Sequence, residues 1–387
     1  MKLFKTNKKA FLQEKKNHIL SLVPYKIFPA QMGGQKGIAL FYKYLSQHVS
    51  LRVITTKNNQ SQEPYPVFNI ISNASSRYIN PFLFFKIKRI SYQNQITHLL
   101  FEHPYFAWLL FLCKIFLSQK IILHTHNIES ERFKSIGKWW WKILFYYERL
   151  AMKTADILWF KTKEDMQYAQ SNFGVDTKKC QVIPYGIEEK YLPSEQEITA
   201  AKAEVRNLYK LNENELIILF NGTLSYKPNL DALDFILEKI NPLLYQSGKP
   251  YKILICGKNL PAHYHQLKDY VSKNICYCGF VDDINLYFKA SDIFLNPLQD
   301  GGGIKTKLVE ALGFGKYTVS SQNGAIGVDA DLTNGRLKVV SDKDWGGYAQ
   351  AILDYLPSIE KRDNQSFYDT FSWESIAEKA LETLGGE

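Results

Sequence analysis

The five cysteines, Cys113, Cys180, Cys256, Cys276 and Cys278, contain no C-x-x-C pair and no metal-ligand spacing. That excludes a disulfide framework or a zinc module, and a reduced, cytoplasmic compartment is expected. Long apolar runs are missing too. The most membrane-like one, Tyr105 to Leu117, covers 13 residues and contains Lys114, short of the roughly 20 needed to cross a bilayer, so it reads as a buried helix. The basic opening leads into AFLQEKKNHIL without an apolar secretory core or a small-residue cleavage site. No G-x-G-x-x-G follows the first strand, which argues against a dinucleotide-dependent dehydrogenase. No recognisable nucleic-acid module is present either, so no nucleic-acid partner is expected.

Acidic residues are scarce in two places. Residues 1–20 carry Lys2, Lys5, Lys8, Lys9, Lys15 and Lys16 against Glu14, and residues 77–101 carry Arg77, Lys86, Lys88 and Arg89 with no acid, within a net charge of +10. Such a balance favours anionic partners: phosphorylated small molecules or an acidic lipid surface. The segment Lys138 to Lys153, KWWWKILFYYERLAMK, sets three tryptophans and two tyrosines among Lys138, Lys142, Arg149 and Lys153. Aromatic residues beside cations are the pattern of a helix lying on an anionic membrane; the competing reading packs Trp139 to Trp141 against a sheet.

What is present is a well-filled α/β pattern. At 387 residues and 45% hydrophobic content, the chain exceeds what one core usually supports, and two domains are expected. Strand-like HILSLVPY, VSLRVITT, ITHLLFEHP, KIILHTHN, ADILWFKT and CQVIPYGI alternate with helical pieces, among them one expected from Gly137 to Lys153. After a polar stretch the alternation restarts with LIILFNGT, YKILICGKN, ICYCGF, DIFLNPL and KYTVSS. Strands separated by helices predict parallel sheets with right-handed crossovers. The reading is two doubly wound α/β domains, residues 1–190 and 191–370, with a terminal helix over 371–387 returning to the first.

In parallel sheets ligands bind beyond the carboxyl ends of strands, which directs attention to NPLQDGGGIKTKLVEALGFGK. Gly301, Gly302 and Gly303 follow a strand and feed a helix starting near Thr306. A glycine-rich loop at a helix N-terminus offers free N–H groups and the positive end of the helix dipole, a setting for phosphate. Lys305 and Lys307 add positive charge, while Glu310 one turn on suits sugar hydroxyls. The mixture points to a nucleotide that carries a sugar. Asn229 is expected to cap the helix that continues LDALDF.

The pieces FNGTLSYKPNLDALDF, ILICGKN, CYCGFVDDINLYFKASDIFLNPL, GGGIKTKLVEALGFGKYTVSS and GAIGV, with MGGQKGIA, HTHNIESERF, IPYGI and FSWESIAEKALETL, resemble retaining glycosyltransferases of the GT-B fold, family 4 (glycosyl transferases group 1). The resemblance implies two Rossmann-like domains facing across a cleft, and metal-independent transfer of a sugar from a UDP- or GDP-linked donor to a glycan or lipid-linked acceptor. It implies a role in cell-surface polysaccharide or glycoconjugate synthesis, in the cytoplasm or on the inner face of the membrane, with no cofactor beyond the donor. It assigns His126 and Glu310 to catalysis. To donor binding it assigns Gly33, Gly34, Gly222, Lys227, Gly301, Gly302, Gly303, Ile304, Lys305, Thr306, Lys307 and Glu310. The family often has a second glutamate eight positions before Glu310, where this chain has Gly302, and an arginine where this chain has Thr223. The first departure keeps open an inactive nucleotide-sugar-binding or regulatory protein of the same fold.

Overall fold

A computed structural model of the chain describes residues 17–30, 33–358 and 363–385. The lysine-rich opening up to residue 16, Met32 of the first glycine loop and the last two residues of the expected terminal helix lie outside the described residues. The first domain contains strands β1 (His18–Leu22), β2 (Ser50–Thr56), β3 (Val67–Ile71), β4 (His98–Glu102), β5 (Lys120–Thr125), β6 (Ile157–Phe160) and β7 (Cys180–Val182). Its helices are α1 (Gly33–His48), α2 (Phe82–Gln93), α3 (Ala107–Phe116), α4 (Glu129–Ser135), α5 (Trp141–Thr154) and α6 (Lys163–Tyr168). The strands form one parallel sheet in the order β3-β2-β1-β4-β5-β6-β7.

The second domain follows α7 (Glu195–Tyr209), whose start is fixed by a capping box between Ser194 and Glu197. Its strands β8 (Leu216–Asn221), β9 (Tyr251–Cys256), β10 (Ile275–Gly279), β11 (Ile293–Asn296), β12 (Tyr317–Ser321) and β13 (Leu337–Val340) pair in parallel in the order β10-β9-β8-β11-β12-β13. The helices are α8 (Lys227–Phe235), α9 (Asn241–Gln246), α10 (Ile284–Ala290), α11 (Thr306–Gly313), α12 (Gln322–Ala325) and α13 (Trp345–Leu353), followed by α14 (Gln365–Phe371) and α15 (Trp373–Glu382). Both sheets therefore reverse their strand order once, at β1/β4 and at β8/β11, and each reversal opens a crevice at the strands' carboxyl ends.

Residue alternation along the strands builds two cores per domain, because successive side chains point to opposite faces. Ile19, Leu100, Ile122 and Trp159 face α1, α14 and α15, while Leu20, Leu99, Phe101, Ile121 and Leu123 face α2, α3 and α5. The first of these cores also takes in Leu308, Val309 and Leu312 of α11, so one apolar mass runs under the cleft.

Three sequence expectations change. The helix read from Gly137 to Lys153 is α5, which begins only at Trp141 and runs to Thr154, while Gly137, at a φ of +72°, lies in the turn that follows α4. The Tyr105–Leu117 run is α-helical only over Ala107–Phe116, after a 3-10 turn at Pro104–Phe106, and it is half-buried: Ala107, Leu109, Leu110 and Cys113 face the core, but Phe111, Ile115 and Phe116 face outward. The edge strands β3 and β13 and helix α2 were not read from the sequence, because β3 and β13 are short and α2 follows a stretch of mixed polarity. Among the described residues no helix is long and apolar enough to cross a membrane.

The chain passes between the domains twice, and the two passages pair. Ile187 donates its N–H to the Phe371 carbonyl at 2.8 Å, and Trp373 donates to the Ile187 carbonyl at 3.0 Å. α15 then packs on α1, with Trp159 Nε1 donating to Thr383 at 3.0 Å. A Cβ on Gly186 would lie 2.7 Å from the Trp373 ring and 2.8 Å from Ile376. Gly186→Ala therefore overpacks this crossing, and overpacking costs about 1–3 kcal/mol. A lowered urea midpoint is the expected result; a midpoint equal to that of the wild type would show that α15 is not held here.

Candidate active site

In the first domain, residues following β1, β4 and β5 meet at the strand-order reversal. Glu102, the last residue of β4, is fully buried. It accepts hydrogen bonds from Tyr42 of α1 at 2.7 Å, from His124 Nδ1 at 3.2 Å and from His126 Nε2 at 2.5 Å. Burial pushes its carboxyl up, but the two imidazoles outweigh that and hold it well below the usual carboxylate range. Burial and the neighbouring His103 hold His126 well below the ordinary histidine value. A neutral ring beside a carboxylate donates its proton there, so His126 gives Nε2–H to Glu102 and keeps a lone pair on Nδ1.

Beside it, His103 stacks on His126 at 4.3 Å between ring centroids, and Tyr105 stacks on His103 at 5.1 Å. His103 in turn bonds Tyr25 Oη at 2.8 Å and the buried Glu129 at 3.1 Å. Glu129 opens α4, and the first N–H groups of α4 are themselves held by a second buried acid. Glu148 of α5 accepts from the Glu129 and Ser130 amides at 2.8 and 3.0 Å, and from the Ser130 hydroxyl at 2.7 Å. His103 and its stacked neighbours border a cavity of 670 Å³ walled by Tyr25, Tyr78, Tyr105, Phe133, Trp140 and Tyr147, with Arg132 and His126 at its polar side. Six aromatic rings with few polar atoms suit the faces of a sugar or another ring-bearing molecule.

The second-domain side is built by glycines. The loop after β11 carries Gly301 at φ +99° and Gly303 at φ +67°, a left-handed conformation that side chains disfavour. Lys305 Nζ donates to the Gly301 and Gly303 carbonyls at 2.7 and 2.9 Å, so this lysine holds the loop's curl. Ile304 packs its side chain into the core beside Gly327. Thr306 opens α11, and a Cβ on Gly33, which opens α1, would stand 3.1 Å from Thr306 Oγ1. Two helix N-termini, one from each domain, thus face the same space, and each brings about half a positive charge. Gly34 borders the aromatic cavity with open space where a Cβ would be.

Lys307 points across α11 to the end of β8. Its Nζ donates to Asn229 Oδ1 at 3.0 Å and would lie 2.3 Å from a Cβ on Gly222, so only glycine leaves room for the ammonium. Burial lowers its pKa to about 8. Asn229 is not the helix cap expected of it: α8 starts at Lys227, and Asn229 bridges Lys307 to the Thr223 carbonyl. Glu310 accepts from Tyr185 Oη at 3.0 Å, and burial raises its pKa against the pull of Lys36 and Lys307. Lys227 stands apart, 81% exposed and paired with Asp231 at 2.6 Å. Gly302 is exposed, with Asn127 Oδ1 3.5 Å from where its Cβ would be.

The structure thus gathers Gly33, Gly222, Lys307, Thr306 and Glu310 on one side of the cleft floor and His126 on the other. Sequence reading missed Glu102, Tyr185, Asn127 and Lys36. Only Glu102, a lone acid ending an apolar strand, carried a signal in the sequence. Glu102, His124 and His126 place their ligand atoms within 4.8 Å of one another, a spacing that could hold a metal ion. In this arrangement Glu102 accepts the Nε2–H of His126 at 2.5 Å.

Residues 33–191 match the family model Glycosyltransferase Family 4, and residues 215–358 match Glycosyl transferases group 1. An uncharacterised glycosyltransferase of Methanocaldococcus jannaschii is 27% identical over 297 residues, covering 72% of this chain and 71% of that protein. An uncharacterised 44.6 kDa protein in the cps region of Klebsiella pneumoniae is 23% identical over 285 residues, covering 71% and 69%. Among solved structures, Anabaena HepE in complex with UDP superposes with a TM-score of 0.71 at 16% identity, covering 95% of this chain and 99% of that one.

Burial pushes the Glu148 carboxyl up to about 7, against about 4.3 in an unfolded chain. Between those values the folded protein holds a proton that the unfolded chain has released, so this group's contribution to stability falls as pH rises from about 4 to about 7. Chemical denaturation across that range should show the wild type losing stability relative to Glu148→Gln as pH increases. Parallel profiles would remove Glu148 as a buried titrating group.

Proposed function

The chain is a glycosyltransferase of GT-B fold, and we propose from that premise that it moves a glycosyl group, with retention of configuration, from a nucleoside-diphosphate sugar to a saccharide or lipid-linked acceptor. The observation that carries the reading is the meeting of the α1 and α11 N-termini at Gly33 and Thr306, with Lys307 held between Gly222 and Asn229 beside them. Positive ends and a buried ammonium that need no rearrangement are what a departing diphosphate requires. In this reading no metal is needed for that charge. UDP sugars are the first donors to test, since the Anabaena protein of similar fold was solved with UDP and with UDP-glucose.

In the proposed reaction Glu310 bonds the ribose hydroxyls and the amides of Gly302 and Gly303 face the donor. His126 accepts a hydrogen bond from a donor-sugar hydroxyl through Nδ1, while Glu102 keeps its ring neutral and oriented. The acceptor lies in the aromatic cavity. The acceptor oxygen forms its bond to the anomeric carbon on the face that the diphosphate leaves, and its proton passes to the departing phosphate oxygen. The products are the glycosylated acceptor and the nucleoside diphosphate. Retention by this front-face route is supported by the lack of a free carboxylate beside His126. Glu102 is buried and held by Tyr42, His124 and His126, Glu129 is buried between His103 and Arg132, and Glu310 lies on the nucleotide side. In this proposal the acceptor belongs to the making of cell-surface polysaccharide or glycoconjugate.

Gly302, at the position of the family's other glutamate, favours a second reading: a nucleotide-sugar-binding protein without turnover. Incubation with a panel of nucleotide sugars separates the two. Donor hydrolysis or transfer supports the enzyme; tight binding with no product for any donor supports the binding protein.

Lys307→Ala is expected to weaken nucleoside-diphosphate binding in calorimetry and to slow transfer together. In the wild type, affinity should fall as pH rises through about 8, where Lys307 loses its proton, and Lys307→Arg should flatten that fall. His126→Ala should leave nucleotide affinity unchanged and lower kcat about 10- to 100-fold, the size of one strong hydrogen bond lost in the transition state. Glu310→Gln should weaken nucleotide binding without changing that of inorganic pyrophosphate. Wild-type nucleotide affinity in Lys307→Ala, or full activity in His126→Ala, would falsify this site.

A further inference from the structure

The helical layer α2, α3 and α5 on the outer face of the first sheet combines two features that no other part shares among the described residues. Of the 21 exposed large hydrophobic side chains among the described residues, 12 lie between Ile79 and Leu150, a stretch of 72 residues in a chain of 387. They include Phe82 at 69% exposure, Phe85 at 64%, Phe116 at 63%, Trp139 at 82% and Ile143 at 65%. α3 packs between α2 and α5, so these side chains belong to one layer. An isolated exposed hydrophobic is ordinary, but a gathering of this kind marks an interaction surface.

The charges on the layer that lack an ion partner have one sign. Lys114 is neutralised by Asp156 and Lys134 by Glu131, whereas Lys86, Lys88, Arg89, Lys138 and Lys142 make no ion pair among the described residues. The acid that α5 itself carries, Glu148, is buried against α4. Between the ends of α2 and α3 these features form a groove of 560 Å³ lined by Phe85, Tyr92 and Phe116 together with Lys88 and Arg89. Rings that can enter an acyl boundary beside cations that meet phosphates are the chemistry of a bilayer surface. A soluble acidic protein would match the cations but leave the rings uncovered.

We infer that the α2–α3–α5 face docks on an anionic lipid bilayer, with Phe82, Phe85, Phe116, Trp139 and Ile143 entering the interface and the unpaired cations lying against lipid phosphates. The docking has a consequence for the reaction. Trp140 and Leu144, on the neighbouring side of the same helix region, line the aromatic cavity, so a bilayer at the outer face lies beside the rim of that cavity. The surface itself does not rest on the glycosyl-transfer reading, and lipid binding and nucleotide binding are measured separately.

Full-length protein is mixed with vesicles of phosphatidylcholine alone and of phosphatidylcholine with phosphatidylglycerol, and bound protein is separated by flotation at low and high salt. Binding to the anionic vesicles, weakened by salt, is expected, with little binding to neutral ones. Each of Lys86→Gln, Lys88→Gln and Arg89→Gln should lower partitioning about fivefold, the equivalent of about 1 kcal/mol per cation at such a surface. Trp139→Ser with Ile143→Ser should also reduce it, with thermal midpoint and nucleotide affinity unchanged. Substituting exposed Tyr245, Val271 and Leu356 of the second domain with serine should change nothing. The inference is overturned by any of four results: no binding to either vesicle, equal binding to both, an equal loss from the second-domain substitutions, or retention by the face variants combined with loss when Lys2, Lys5, Lys8, Lys9, Lys15 and Lys16 are replaced by glutamine. That last outcome would assign lipid binding to the opening segment. A wild-type protein that self-associates through these residues in sedimentation and ignores lipid would assign the face to a second copy and likewise overturn it.

Discussion

Where the two domains meet at the cleft floor, there is little room for a side chain at Gly33 and none at Gly303. A Cβ on Gly33 would stand 3.1 Å from Thr306, and one on Gly303 would stand 2.2 Å from Asn127 Oδ1 and 3.0 Å from the His126 carbonyl. This close approach sets the distance between the α1 and α11 N-termini and brings the loop after β11 against the residues that follow β5. Glycine is a weak choice for stability, since it loses much backbone entropy on folding. Here it admits two positively polarised helix ends to one small volume, and the proposed diphosphate site rests on that volume.

Buried carboxylates supply the frame on the first-domain side. Glu102 gathers Tyr42, His124 and His126; Glu129 anchors His103; Glu148 anchors the start of the helix that carries Glu129. A buried acid without partners is costly, and each of these is partnered by donors from elements far apart in the chain. The result is a stack of three rings, Tyr105, His103 and His126, held in place between the cavity and the cleft. The site's precision on this side therefore comes from hydrogen bonds to carboxylates that themselves face away from solvent.

The two domains divide the work by composition. The second contributes backbone amides, Lys307 and Glu310, a polar and nearly sequence-local set on a glycine loop and one helix. The first contributes aromatic walls, and its outer helices remain apolar and basic on the side away from the sheet. The same helix α5 buries Ala151 and Met152, presents Leu144 to the cavity and turns Ile143 and Tyr146 outward. A helix so divided links the cavity to whatever covers the outer face.

The sequence by itself determined the two parallel α/β sheets, since period-two strands alternating with helical segments admit few other arrangements. It also determined the glycine loop entering α11, because both features are written in consecutive residues. Only the tertiary structure decided which charged groups serve that loop. Lys305 curls the loop, Lys227 turns to Asp231 in solvent, and Asn229 holds Lys307 where it had been read as a cap. Glu102 and His126 are 24 residues apart and Tyr185 and Glu310 are 125 apart; spacing along the chain cannot announce such pairs. Local pattern fixes backbone conformation, but a side chain's partner depends on which strand ends the fold brings together, and that is a property of the sheet order rather than of any segment.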